Sequence, residues 1–324
     1  MHTRTQTGAL KMKRLAFAFA LCHFVVDVYS TSSIDWCYHD PACDDRTWPV
    51  LFGDFCNGSR QSPINIVTAD ATENASLTEL TFTNIDNTGI LANITNTGRT
   101  VRVNFNRGVQ VSGGGLSEPY DSLQFHLHWG NRSTVGGSEH TVNGRRYPME
   151  LHIVNIKSRF NLNTSLALED PTGAAALGFF IEADSSVNTS QPWRDLIGYL
   201  SQIPLAGDLV NITSDIPLSG LLEGVDFSRY YRYLGSLTTP TCREIVVWTV
   251  FKDTIRISPE MIDLFSTELR IDNTTDSPLM VNVFRNILPD LPVTTQPVRE
   301  ETDNSVKSCA SLALLALSLV LSSC

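Results

Sequence analysis

Short runs in which apolar and polar residues alternate recur through the middle of this chain, and they constrain its fold more than any other feature. Leu80–Thr83, Val101–Phe105, Leu123–Trp129, Glu150–Lys157, Leu177–Glu182 and Ile245–Phe251 are rich in Val, Ile, Phe and Thr, and turn residues such as Asn87–Gly89, Gly113–Gly115 and Asn143–Gly144 separate them. Period-two alternation in runs of this length is a strand signal. Helical patterning is confined to Trp193–Ile203 and Pro259–Leu264, the second opening on Ser258 with a proline in its first turn. No internal repeat and no Pro/Gly/Ser-rich linker interrupts the stretch. The pattern predicts one domain built on a mainly antiparallel sheet with a few short helices.

The two ends read differently. Lys11, Lys13 and Arg14 precede the apolar run Leu15 to Val26, and small residues Ser30–Ser33 follow it. A basic flank, a short apolar stretch and small residues describe a secretory signal peptide, placed here at 1–30. A membrane span would need ~20 apolar residues. At the far end Leu312 to Leu321 is apolar apart from Ser318, and no basic residue follows before Cys324. A small-residue site, a polar stretch (291–306) and a terminal apolar tail (307–324) match a glycosylphosphatidylinositol (GPI) attachment signal. A single-pass helix is the alternative, against which stand the short tail and the missing basic flank.

Cysteine usage agrees with that division. Of seven Cys, Cys22, Cys309 and Cys324 fall in the end segments, leaving Cys37, Cys43, Cys56 and Cys242. An even set suits an oxidising compartment; four Cys allow three pairings, and spacing favours Cys37–Cys43 with Cys56–Cys242. Eight Asn-x-Ser/Thr sequons, at Asn57, Asn74, Asn93, Asn131, Asn163, Asn188, Asn211 and Asn273, fit the same compartment. The expected location is the extracellular face of the plasma membrane, reached through the GPI anchor. With 24 basic against 34 acidic residues and no basic cluster, the chain lacks the footprint of a nucleic-acid partner.

The chemistry-bearing residues lie on two of the strand-like runs. In Gln124-Phe125-His126-Leu127-His128-Trp129-Gly130 two histidines stand at i and i+2, hence on one strand face, with Phe125, Leu127 and Trp129 on the other. Glu150-Leu151-His152 offers a third histidine that a hairpin or meander would bring beside them. Three neutral imidazoles suit Zn²⁺ and leave one tetrahedral position for water, the mark of a catalytic site. Gln124 and Glu150, each two residues before a histidine, are placed to orient the rings from behind.

These residues carry a resemblance. Gln124–Gly130, Gly137–Thr141, Glu150–Val154, Gln61–Ile66 and Gly235–Pro240 are similar, in order, to the signatures of α-class carbonic anhydrases, over Trp36 to about Arg285. The two Cys pairs and the tail resemble the extracellular, GPI-anchored branch of that family. The resemblance implies an α+β domain over 31–290 with a large, mostly antiparallel twisted sheet of about ten strands. It implies that His126, His128 and His152 hold Zn²⁺ and that the fourth ligand is the reacting water. That water's pKa falls towards ~7, a value that comes from carbonic anhydrase itself and is not deduced from this chain.

The same resemblance assigns the surrounding residues. Thr238 accepts a hydrogen bond from the zinc-bound hydroxide and passes its own hydroxyl hydrogen to an ionised Glu139, which aims the nucleophile at CO2. Thr239, Leu237, Val154, Val246 and Trp248 line the substrate pocket, with Ala174 and Ala176 where bulkier residues are usual. His140 becomes a buried structural histidine between Glu150 and Tyr233. Arg99 stands where fast members carry a proton-shuttling histidine, and an arginine stays protonated throughout the physiological range. The function implied is reversible hydration of CO2 to bicarbonate, with slowed proton removal and with sulfonamides and anions as inhibitors. The alternative is a catalytically weak, carbonic-anhydrase-like binding ectodomain, against which stands the intact set of three His, Glu139 and Thr238. A zinc protease would want a His-Glu-x-x-His helix, which is lacking.

Overall fold

The computed structural model describes residues 35–297. The segments expected as signal peptide (1–30) and anchor signal (307–324) lie outside the described residues. Seven strands carry the site: β1 (Leu91–Asn96), β2 (Val101–Phe105), β3 (Tyr120–Trp129), β4 (Met149–Lys157), β5 (Ala174–Ala183), β6 (Tyr230–Gly235) and β7 (Val246–Phe251). They lie side by side in the order β1-β2-β3-β4-β5-β7-β6. β5 and β7 run parallel and the other pairs antiparallel. Among the described residues this sheet has thirteen strands rather than about ten, and Asn65–Ile66, Thr141–Val142 and Arg145–Arg146 form a separate three-stranded one. Six of the thirteen are only two to four residues long, a length at which alternation hardly registers in sequence.

Alternation decides what each face buries. Phe125, Leu127 and Trp129 of β3, Leu151 and Ile153 of β4, and Leu177 and Phe179 of β5 enter the larger core. The same core takes up Trp193, Leu196 and Ile197 of helix α1 (Gln191–Gly198) and Ile262 and Phe265 of α2 (Pro259–Glu268), apolar residues at helical spacing. The run expected as one helix to Ile203 breaks after Gly198 into a 3₁₀ turn at Leu200–Gln202, while α2 extends four residues past Leu264. The opposite face of the sheet packs a second, smaller cluster that includes Ile64, Phe180, Tyr233, Val246 and Trp248. Residues on this face beside the histidines are therefore covered too, which makes the site deep.

The sheet also reaches past the expected domain boundary at residue 290. Thr294–Thr295 pairs with Tyr231–Arg232 and with Thr72–Glu73, and Val293 is buried. The first residues of the stretch read as a polar stalk thus belong to the fold, because Val293 and the partly buried Leu291 pack into the second apolar cluster.

Candidate metal centre

Strand register assembles the three histidines. In the β3–β4 pair His126 stands directly opposite His152, and His128 opposite Glu150. The three rings lie 4.7–5.3 Å apart between centroids, and one ligand nitrogen from each falls within 4.8 Å of the others. Each ring has its other nitrogen committed to an acceptor. His126 Nδ1 meets Gln124 Oε1 at 3.1 Å, His128 Nδ1 the Val283 carbonyl at 2.8 Å, and His152 Nε2 Glu150 Oε1 at 2.7 Å. A carbonyl or carboxylate oxygen only accepts, so these nitrogens carry the protons. The lone pairs are left on His126 Nε2, His128 Nε2 and His152 Nδ1, turned towards one another.

Charge state and satisfaction point the same way. Burial and mutual repulsion hold His126 well below the ordinary imidazole range, and burial takes His128 down to about 4 and lowers His152. All three are neutral near pH 7, the form that binds a metal. His128 Nε2 and Glu139 Oε2 are buried without a hydrogen-bond partner, 3.4 Å apart. An orphaned imidazole lone pair at the centre of such a trio fits a divalent cation, which would satisfy it.

A second grouping, His140 with Glu150 and His152, is bound up in hydrogen bonds among its own members and to Tyr233. Glu150 Oε1 lies 2.7 Å from both His140 Nδ1 and His152 Nε2, and Oε2 accepts the His140 amide at 2.8 Å. His140 Nε2 reaches Tyr233 Oη at 2.6 Å. Burial pushes Glu150 upwards, yet the electrostatic attraction and hydrogen bonds of the neighbouring His140 and His152 rings outweigh it and hold the carboxyl well below its usual range. This cluster orients His152. Gly178 of β5 makes room for it: opposite His152, an added Cβ would stand 2.9 Å from Glu150 Oε1.

The remaining expected residues surround the trio. A cavity of about 140 Å³ is lined by His126, His152, Gln124, Val154, Ala174, Ala176, Leu237, Thr238, Thr239, Val246 and Trp248. The turn that bears Thr238 is held by Leu237 N–H donating to the Arg243 carbonyl, Trp248 Nε1 to the Ser236 carbonyl, and the Cys56–Cys242 disulfide just beyond. Cys37 and Cys43 form the other disulfide. Burial raises the Glu139 carboxyl, opposed by His152, by Thr238 and by the Arg285 amide, which donates to Oε1 at 2.9 Å. A neighbouring dication would pull it back towards the ionised form. A second, more polar hollow of about 270 Å³ adjoins His126 and His128 and includes Trp36, Tyr38, Thr97, Arg99, Thr100 and Arg102. Two larger surface hollows, of about 560 and 680 Å³, meet none of these residues.

Comparison with known proteins agrees with this geometry. A family model of eukaryotic-type carbonic anhydrases matches residues 43–296. The chain belongs to that family. It is 34% identical over 288 residues to carbonic anhydrase 4 of Oryctolagus cuniculus, covering 88% of each chain. It is 34% identical over 248 residues to carbonic anhydrase 6 of Bos taurus, covering 76% of each, and 34% identical over 258 residues to carbonic anhydrase 12 of Homo sapiens, covering 78% of this chain and 70% of the relative. As a family member the chain has the expected large twisted sheet. Sequence reasoning missed the Val283 carbonyl, the Arg285 amide, Tyr38 and Arg102. The first two are backbone groups with no side-chain signature; Arg102 was within reach, since it shares the alternation phase that faces the histidines.

Proposed function

We propose that this protein catalyses the reversible hydration of CO2 to bicarbonate and a proton, with Zn²⁺ held by His126 Nε2, His128 Nε2 and His152 Nδ1. The observation that carries the proposal is the set of three uncommitted ring nitrogens bordering a small apolar cavity. When bound, the ion supplies Lewis acidity, lowering the pKa of a water so that a nucleophile is available at neutral pH. The protein's residues do the rest. Val154, Val246, Leu237 and Trp248 form a wall suited to a small substrate that offers little to hydrogen-bond. The Thr238 hydroxyl donates its hydrogen to Glu139 and accepts one from the nucleophile, so that a lone pair faces the substrate carbon. Thr239 lines the same wall.

Proton removal is the weak step. Arg99 Nε donates to the Trp36 carbonyl at 2.7 Å and its guanidinium stacks 4.5 Å from that ring. A permanently charged group in that pose cannot accept a proton from an ordered water chain. The protein acts on the outer cell surface behind a GPI anchor, a reading supported by two disulfides and by six exposed sequon asparagines, Asn57, Asn131, Asn163, Asn188, Asn211 and Asn273. Among the described residues no helix is long and apolar enough to cross a membrane. Sulfonamides and small anions, which compete for a metal's open position, are the expected inhibitors. The test is elemental analysis together with CO2 hydration, with and without a sulfonamide. One zinc per chain and sulfonamide-sensitive hydration are expected for the native protein, and neither for His152→Ala. A metal-free native protein would overturn the reading, and a zinc-loaded but inactive one would make it a binding ectodomain.

A further inference from the structure

We propose that Arg102 is an anion-docking residue in the polar half of the cleft, binding a small carboxylate-type oxyanion, bicarbonate in the first place, beside the metal site. The inference deepens the function proposed above and rests on it. Three observations lead to it. The first is placement. Val101 and Val103 are fully buried in the main core, so Arg102 between them points to the other face of β2. Register sets it directly opposite His126, and such pairs in antiparallel strands have Cβ atoms ~4.5–5.5 Å apart on a shared face.

The second observation is availability. Among the described residues there are sixteen arginines, and Arg102 is the one whose guanidinium makes no hydrogen bond, ion pair or ring contact. Its neighbour Arg99 is engaged with Trp36. In a chain with ten more acidic than basic residues, a lone unpaired arginine beside a cleft is not explained by surface pairing. The third is the lining. The polar hollow is lined by Arg99, Arg102, Gln124 and Thr239, with no carboxylate among its lining residues to compete for the guanidinium of Arg102. A guanidinium presents parallel N–H donors in a planar fork that matches a carboxylate, which a water-exposed ammonium would not do. CO2 offers that fork nothing, whereas bicarbonate does. Arg102 therefore favours the anionic partner of the reaction over the neutral one, and opens the cleft to other small carboxylates.

Acetate serves as an unreactive carboxylate probe, and a neutral benzenesulfonamide reports the metal site independently. Calorimetry on the zinc-loaded native protein and on Arg102→Gln should give the same sulfonamide affinity. Displacement of that sulfonamide by acetate should be weaker for Arg102→Gln by about 3- to 10-fold, the range of an exposed charged hydrogen-bonding contact. Arg99→Gln should leave acetate affinity within about 2-fold, since its guanidinium is already engaged. Equal acetate affinities in native protein and Arg102→Gln, with sulfonamide binding intact, would overturn the role of Arg102 and leave the metal site standing. Absence of sulfonamide binding in both would overturn the metal-site reading and this inference with it.

Discussion

The two halves of the cleft are held by different parts of the chain. The apolar half is largely sheet: Val154 stands on β4, Ala174 and Ala176 on β5, Val246 and Trp248 on β7, at alternating positions whose directions the pleat dictates. The polar half shares Gln124, His126 and Thr239 with it and adds, besides His128 of β3 and Arg102 of β2, the N-terminal segment at Trp36 and Tyr38 and the turn Thr97–Thr100. A residue in the first half cannot move without disturbing two neighbouring strands, whereas one on a turn can change with little structural cost. On the function proposed, substrate approach is therefore built into the rigid part of the molecule. Of the two arginines in the polar half, Arg99 stands on a turn that can vary, whereas Arg102 stands on β2, paired with β1 and β3.

The sharpest way to break this comparison is to fill the apolar half. Val154→Tyr adds a ring to a cavity of about 140 Å³ without touching a metal-binding nitrogen. We expect kcat/KM for CO2 hydration to fall on the order of 10²-fold, the cost of displacing a reacting partner by about an ångström. Zinc content should be unchanged by elemental analysis. A variant that kept native kcat/KM would show that CO2 does not use this wall.

The difference between the halves also explains what could be read without a structure. Alternation in β3 sorts Phe125 and Leu127 from His126 and His128, so one strand assignment yields two of the three candidate ligands. The run that includes Glu150 and His152 yields the rest by the same rule. β1 and β6 obey it poorly. In β1 the register slips between Leu91 and Asn93, and in β6 a charged Arg232 sits buried, its guanidinium donating to Thr249 Oγ1. Contacts that set ring orientation were partly invisible. Glu150 and Gln124 announce themselves at i−2 from a histidine. The Val283 carbonyl behind His128 and the Arg285 amide on Glu139 are main-chain groups more than a hundred residues away. Trp36, Tyr38 and the turn at Thr97–Thr100 follow no periodicity and had to be seen in place, whereas Arg102 keeps the alternation of β2.

A smaller effect probes how firmly the sheet half holds the ligands. In Gly178→Ala the new methyl would meet Glu150 Oε1 at 2.9 Å and His152 Cδ2 at 3.7 Å. Glu150 has little freedom to retreat, because both its oxygens are engaged by His140 and one also by His152. Displacing an orienting carboxylate typically costs 10–100-fold in metal affinity. Competition against a zinc chelator should show a loss in that range while the fold, followed by circular dichroism, is retained. Unchanged zinc affinity would mean that the carboxylate behind His152 does not tune it.

The smallest effect belongs to the variable half. Arg99 sits on a turn whose shape depends on Thr97, with Thr97 N–H donating to the Thr100 carbonyl and the Arg99 amide to Thr97 Oγ1. Replacing its side chain leaves those bonds intact, so Arg99→His should fold normally. An imidazole with a pKa near ambient pH can accept a proton relayed by water and release it to buffer, which a guanidinium cannot. At low buffer concentration kcat should rise by about 10-fold, below the ~10²–10⁴ of a directly positioned acid–base group because the transfer runs through water. kcat/KM should stay constant, since CO2 capture and attack occur before the proton leaves. Added imidazole should raise kcat of the native protein towards the same ceiling and affect the variant less. If neither the substitution nor imidazole changes kcat, proton removal is not the slow step, and the rim does not govern turnover.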